Sequence, residues 1–496
     1  MPDSFDMDLQ SIQEARRLAV ACREAQRAFA TASQETVDRI CQAMADAAYN
    51  AAARLGQMAN EETGYGVPRH KQIKNEFASR TVWASIKDQK TVGVIAHDEQ
   101  RKVMEIAWPA GVVAALTPST NPTSTIMFKI LIAVKARDGI VVAPHPFAKT
   151  CSYETVRLMA EAGEAEGMPP GLVSCMQHIT LDGTQALMRH YATSLILATG
   201  GTPMVKAAHS VGKPAIGVGP GNVPAYVDRS ADVVKAAGDI VNSKAFDCST
   251  ICATEQSVVA DKPIAAQLRA EMEKHGAYFV NAEQKAALER TLFFPDGGIN
   301  ARSVGKTPQA LAEMAGIEVP ATARILVAEL EGVGADYPLS REKLTTVLGF
   351  YIEDGWRAGC ERCIQLLKFG GDGHSLVIHA RDHDVIMAFG LEKPAFRIIV
   401  NTWGTLGAIG ATTGVMPSMT LAPGGIGGAV VGDNITTRHL LNIKRLAYEL
   451  VPPPEGAYTH ASNGATVAPD VAAPETIEAI VRRVLASMAS EQDRRP

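Results

Sequence analysis

Two thiols four residues apart, Cys248 and Cys252, stand in the string Phe246-Asp247-Cys248-Ser249-Thr250-Ile251-Cys252-Ala253-Thr254-Glu255-Gln256, which is polar, free of glycine and set between a helical pattern and an apolar run. A cysteine in such a loop can attack a carbonyl carbon and hold the product as a thioester, provided that the protein favours its thiolate and stabilises the oxyanion it creates. Cysteine is also a frequent core residue, so the residues alone leave either thiol as a candidate, and no histidine lies near in sequence. An oxyanion partner is on offer in TPSTNPTST (117–125), where Asn121 and Ser124 fall between a strand-like run and a helical one. Such an amide either caps the helix or points at developing negative charge on a carbonyl oxygen.

Other segments suit close approach of a ligand to the main chain. TGGTP (199–203) and GVGPGN (217–222) each follow an apolar run, as a turn lying against a bound molecule would. Neither has the GxGxxG order of the usual dinucleotide fingerprint. Cys360 and Cys363 form a CxxC in GCERCIQ, but there is no second pair at zinc-site spacing and no HExxH. Both thiols are expected on the inward face of a helix, and no metal centre is expected.

Placing these residues requires a folded scaffold, and the composition allows one. The chain has 496 residues, 46% hydrophobic and 20% charged, enough for two or three packed domains and unlike a disordered chain. A net charge of −5, with basic residues thinly spread, argues against a nucleic-acid groove. The start, MPDSFDMDLQSIQEARR, lacks the basic-then-apolar order of a secretory leader. Runs such as GIVVAP and ARILVAEL fall far short of the roughly 18 residues of a membrane span. Eight cysteines at this density suit a reducing, cytoplasmic setting.

Residues 8–58 are almost free of Gly and Pro and predict an amino-terminal helical layer, with Ser33 as a cap before QETVDRI. After Trp108, short apolar runs alternate with helical stretches, the pattern of βαβ units on a parallel sheet. The fold class is therefore α/β, with a first domain over 1–235 and a second over 236–430. The segment 451–474, rich in Pro, Gly, Ala, Ser and Thr, reads as a flexible linker. After it, 475–490 reads as an amphipathic helix striped by Ile477, Ile480, Val481, Val484, Leu485 and Met488. So short a helix is marginal alone; on a long linker it is expected to bind another protein, the alternative being that it docks on its own body.

Taken together, SKAFDCSTICATEQSVV, TPSTNPTST, APHPFAKT, TGGTPMVKAA, GVGPGNVPAYVD and REKLTTVLGFY resemble the aldehyde dehydrogenase superfamily, in particular its CoA-acylating branch of propionaldehyde and acetaldehyde dehydrogenases. The resemblance spans about residues 10–450. It implies a Rossmann-like cofactor domain, an α/β catalytic domain, and a small oligomerisation element from about 90–108 and 431–450. It also implies that Cys252, not Cys248, is the nucleophile, and that Asn121 and the Cys252 N–H hold the oxyanion. Glu342 would hold the nicotinamide ribose, and Gly201, Thr202 and Val205 would line the cofactor face. Thr117, Pro118, Gly200 and Gly219 would join that cofactor site, with Pro144, His145 and Pro146 on its adenosine side.

One departure bears on the reaction class. Hydrolytic members carry a general-base Glu in Glu-Leu-Gly-Gly-Lys, whereas this chain has Gly217-Val218-Gly219-Pro220-Gly221-Asn222. With no carboxylate there to activate water, the acyl-enzyme is expected to wait for CoA. The resemblance thus implies reversible oxidation of a short-chain aldehyde, propionaldehyde first and acetaldehyde next, with NAD and coenzyme A. A non-acylating dehydrogenase would need a carboxylate elsewhere, and a non-catalytic scaffold would tolerate loss of Cys252. The tail resembles encapsulation peptides of bacterial microcompartments, implying an enzyme carried inside one and a helix that binds shell or other cargo proteins. A homodimer or dimer of dimers is implied too; no nucleic acid or membrane partner is expected.

Overall fold

The computed structural model describes residues 6–454. Short apolar runs rich in Val, Ile, Leu and Ala build two parallel sheets. In the first, the spatial order is Val173–Cys175, Gly139–Pro144, Val112–Thr117, Thr193–Thr199 and Ala215–Val218, each neighbouring pair parallel. Val112–Thr117 and Gly139–Pro144 are buried at every residue, which is why they read as continuous apolar runs instead of alternating.

In the second sheet the order is Ala277–Phe279, Ile325–Glu329, Val347–Glu353, Glu255–Asp261, Val223–Val227, Leu376–His379 and Ile398–Val400, again parallel throughout. The chain changes sheet between Val218 and Val223, ahead of residue 236, where composition placed the second domain. The reason is local. VPAYV follows the Pro-Gly turn with no helical stretch between, and a strand cannot return parallel to its own sheet without a crossover. It joins the second sheet and pairs with Glu255–Asp261 by way of helix Val233–Ala245.

Helix Pro122–Lys135 is buried along its whole length, apolar on all sides as a helix enclosed by other elements must be. Its two lysines have internal partners. Lys129 Nζ donates to the Leu116 and Leu197 carbonyls (2.7 and 2.8 Å), and Lys135 Nζ donates to the Lys87 carbonyl (2.8 Å) and pairs with Asp38. Helices Met7–Phe29, Gln34–Asn50, Ala52–Thr63 and Pro68–Glu76 form the expected amino-terminal layer. The Ser33 hydroxyl caps the second of them by accepting from the Thr36 N–H (3.1 Å). Helix Trp356–Lys368 carries Cys360 and Cys363 on its buried face, and Gly359 in it lies so close to the Tyr226 ring that a Cβ would overlap the ring carbons.

Strands Gly93–Asp98, Val103–Pro109 and Leu441–Ala447 form a separate three-stranded sheet, whose first two strands are antiparallel. A second, small unit includes residues 100–102 and 447–454, in which the Tyr448 N–H donates to the Lys102 carbonyl (3.1 Å). No helix among the described residues is long and apolar enough to cross a membrane. The linker beyond its first four residues and the amphipathic stretch 475–490 lie outside the described residues.

Candidate active site

Four strands of the first sheet end at one place, and the loop that enters the central strand of the second sheet faces them. Pro118 to Asn121 follow Val112–Thr117, His145 follows Gly139–Pro144, Gly200 and Gly201 follow Thr193–Thr199, and Gly219 and Pro220 follow Ala215–Val218. With Thr250, Ile251, Cys252, Glu342 and the apolar Leu344, Ile409, Met419 and Leu421 they enclose a cavity of about 210 Å³. The carboxyl ends of parallel strands are where such folds bind ligands.

Of the residues singled out in the sequence, Cys252, Asn121, Pro118, His145, Gly200, Gly201, Gly219 and Glu342 line this cavity. Thr202 and Val205, with Gly219 again, line an adjoining groove that also holds Lys206, His209 and Lys368. Thr117, Pro144 and Pro146 line neither. Thr117 and Pro144 end their strands, Thr117 fully buried, and Pro146 opens a short helical turn.

Asn121 precedes a helix that opens with Pro122, yet its side chain makes no capping bond. Its Oδ1 accepts from the Lys74 ammonium, and its Nδ2 donates to the Thr250 carbonyl (2.8 Å). An ammonium only donates and a carbonyl only accepts, so the two neighbours together fix which end of the amide is oxygen. Ser124 lies buried in the first turn of the same helix.

The cysteine loop opens with three consecutive non-glycine residues in the left-handed region, Asp247 (φ 48°), Cys248 (φ 50°) and Ser249 (φ 67°). Each such residue costs of order 1 kcal/mol and persists only where its surroundings over-determine it. The buried Asp247 carboxylate supplies that constraint. Its Oδ1 accepts from the Val67 N–H (2.7 Å), and its Oδ2 accepts from Lys71 Nζ (3.2 Å), Thr250 Oγ1 (2.7 Å) and Lys74 Nζ. The Asp247 N–H donates to His70 Nδ1 (2.9 Å), and the His70 ring stacks on Phe246. Burial raises this carboxyl, but Lys74 and Lys71 more than reverse that, leaving it below the ordinary range.

Cys248 is buried and Cys252 half-exposed to the cavity; the chain's other cysteines are all buried. Behind Cys252, Gly221 approaches so closely that a Cβ would overlap the Cys252 carbonyl and come within 2.9 Å of His374 Nδ1. The Gly221 N–H donates to Glu342 Oε1 (2.9 Å), and the Asn222 amide donates to the Ser340 and Leu366 carbonyls (2.8 and 2.9 Å). GVGPGN therefore braces the cysteine loop, and Glu342, distant in sequence, brings a carboxylate to the segment where the sequence alone showed none. No His, Cys, Asp and Glu group among the described residues is arranged to hold a metal ion.

Burial, and then the Glu342 charge, push the Cys252 thiol up to about 12, while Arg397 and the N–H groups of Cys252 and Ala253 act in the opposite sense. Burial lifts Glu342 to about 7 against the Gly221 N–H and the Lys244 charge. His374 is held down to about 3 by burial and then by Arg397; it is neutral, and its buried Nε2 has no hydrogen-bond partner. The Arg397 guanidinium donates to the His374 and Ala422 carbonyls (2.5 and 3.0 Å). Sequence reasoning singled out none of Lys71, Lys74, His374 and Arg397. The three-residue spacing of the lysines in HKQIKN puts them on one helix face, but only the fold brings that face to Asp247.

These environments make alkylation a direct test. Iodoacetamide is expected to label one cysteine per folded chain, Cys252, slowly at neutral pH because the raised pKa keeps it a thiol. The rate should rise about tenfold per pH unit through the mildly alkaline range, as thiolate fraction dictates. Labelling of Cys248, or a rate flat with pH, would contradict this environment; peptide mass spectrometry reads both.

Comparison with known proteins places the chain in a family. Residues 6–284 match the aldehyde dehydrogenase family. The chain is 43% identical over 409 residues to an aldehyde-alcohol dehydrogenase of Streptococcus pneumoniae, covering 81% of this chain and 46% of that one; it thus spans about half the length of that relative. The fold superposes on an acetylating aldehyde dehydrogenase from Geobacillus thermoglucosidasius with a TM-score of 0.90 at 50% identity, covering 91% of this chain and 100% of the other. A propionaldehyde dehydrogenase from the fucose utilisation microcompartment of Clostridium phytofermentans gives a TM-score of 0.79 at 30% identity, with 87% and 96% coverage. The chain belongs to the aldehyde dehydrogenase family.

Proposed function

We propose that the protein oxidises a short-chain aldehyde to its acyl-CoA with NAD+, through a thioester on Cys252. The observation that carries this reading is that the chain's one half-exposed cysteine opens on a cavity shared with Asn121, an amide whose orientation its neighbours fix. In this reading the Cys252 thiol gives its proton to solvent and the thiolate attacks the aldehyde carbon. The oxygen becomes an oxyanion held by Asn121 Nδ2 and the Cys252 N–H, where preorganised donors lower the barrier most. NAD+, when bound, accepts the hydride that leaves as the thiohemiacetal collapses. Cys252 then keeps the acyl group until a CoA thiolate attacks the thioester carbon and the Cys252 thiolate leaves. Exchange between two thioesters is close to isoenergetic, so the cycle runs in both directions.

The residues present fit a dinucleotide. The groove beside the cavity, about 610 Å³, shares Gly219 and Pro220 with it and carries Lys206, His209 and Lys368. No atom lies within 4 Å of where a Cβ would sit on Gly219 or Gly370, so these glycines leave room that the protein itself does not fill, beside the Lys206 and Lys368 ammonium groups, which suit a diphosphate. Gly200, Gly201, Thr202 and Val205 would hold the cofactor, Glu342 its nicotinamide ribose, and Pro118 and His145 its flanks. The cavity lining contains no Lys or Arg and is apolar at Ile251, Leu344, Ile409, Met419 and Leu421. That favours an uncharged aldehyde, propionaldehyde first and acetaldehyde next, over a carboxylate- or sulfonate-bearing one.

The hydrolytic alternative rests on Glu342, the carboxylate that lines the cavity; one of its oxygens is engaged by Gly221. NADH production from propionaldehyde and NAD+, with and without CoA, separates the two. The acylating reading expects propionyl-CoA only when CoA is present, and loss of turnover by at least a thousandfold in Cys252→Ala, in keeping with removal of a covalent nucleophile. Sustained NADH and free propionate without CoA would make water the acceptor. The tail 475–490, together with the microcompartment origin of one similar structure, supports a cargo role. Removing residues 455–496 is expected to leave turnover unchanged and abolish co-purification with shells; retained co-purification would refute the targeting role.

A further inference from the structure

We propose that Lys74 is a positioning residue of the oxyanion site: held on Asp247, its ammonium sets and polarises the Asn121 amide, so that negative charge developing on the substrate oxygen is met by the excess positive charge of a buried cluster. The proposal rests on the reading of Cys252 and Asn121 given above.

The charges of the cluster do not balance. Lys71 and Lys74, each 2% exposed, share the one fully buried carboxylate of Asp247. A pair serving the fold alone would be neutral, because an unmatched buried charge is costly. The groups that face Lys74 supply no second anion. Lys71 and the neutral His70 lie on its own helix, Asp247, Cys248 and Thr250 come from the cysteine loop, and Asn121 comes from the strand end. What the surplus charge does face is the Asn121 amide. Lys74 donates to Asn121 Oδ1, and Lys71 Nζ donates to the Thr120 carbonyl (3.2 Å) just before it, so the two ammonium groups grip the turn that carries the amide. A cation on Oδ1 draws electron density from the amide nitrogen and strengthens its N–H groups as donors, the cooperative effect expected in a low-dielectric interior. Burial, opposed by Asp247 and assisted by Lys71, brings the Lys74 ammonium down to about 8, so its proton is lost as pH rises past that value.

The test is a double-mutant cycle on the hydride-forming step, measured as the pre-steady-state burst of NADH from propionaldehyde and NAD+, with folding checked by circular dichroism and thermal melting. Removing one oxyanion donor outright costs about 10²- to 10³-fold. Lys74→Met, acting through that donor, should slow the burst by about 10- to 100-fold at nearly unchanged KM for aldehyde and NAD+. On an Asn121→Ala background the same change should cost less than about threefold. The ratio of wild-type to Lys74→Met rates should fall as pH passes about 8. If Lys74→Met does not fold, Lys74→Gln keeps a donor for Asn121 Oδ1 without the charge and should show a smaller loss with the same lack of additivity. Losses that multiply in full with Asn121→Ala, or that appear in KM alone, overturn the proposal. An Asn121→Ala enzyme as fast as wild type overturns instead the oxyanion reading on which it rests.

Discussion

The arrangement of this site depends on one buried carboxylate. Asp247 accepts a main-chain N–H from Val67, two ammonium groups and a hydroxyl, and it does so from a left-handed conformation that Asp adopts more readily than most residues but still at a cost. Those bonds tie the cysteine loop to helix Pro68–Glu76, and through Lys74 they reach the Asn121 amide. Burying a carboxylate is unfavourable unless its lone pairs are filled; here they are, and the strain of three left-handed residues is carried by the same contacts. The cysteine loop and the Asn121 amide are in this way parts of one hydrogen-bonded network, although they belong to different sheets.

The sheets supply the rest of the geometry. Strand ends of the first converge on the cavity, and the loop before Glu255–Asp261 meets them from the second. Gly221 lets the main chains of the two regions come into contact, and its N–H reaches Glu342. The thiol itself is disfavoured as an anion by burial and by that carboxylate. Arg397 and the N–H groups of Cys252 and Ala253 offset part of this, so in the proposed reaction the site favours negative charge that appears during reaction more than a resting thiolate. That division is what transition-state stabilisation requires.

Much of this was legible in the sequence, and for identifiable reasons. The parallel α/β character followed from short apolar runs such as Val112–Thr117 alternating with helical stretches, since a fully buried strand shows no polar alternation. Ser33 announced a helix start by its own chemistry. The Cys252 string and Asn121 could be placed in one site because the resemblance joined them, although spacing alone left Cys248 open; burial now separates the two thiols. The sheet change at Pro220 was not legible, because a turn without a helix looks the same whether the next strand returns or leaves. Lys71, Lys74, His374 and Arg397 were missed because their partners lie far away in the chain, and a lysine in HKQIKN reads as a solvated face until the fold shows it 2% exposed.

In the proposed reaction Cys252 carries the acyl group between the two half-reactions. Mixing the 496-residue protein with propionyl-CoA in the absence of reduced cofactor, quenching in acid and mapping peptides by mass spectrometry tests this without relying on turnover. A single propionyl group on Cys252, discharged by added free CoA, is the expected result. No propionylated species, or one carried by Cys248 and unaffected by Cys252→Ala, would contradict it.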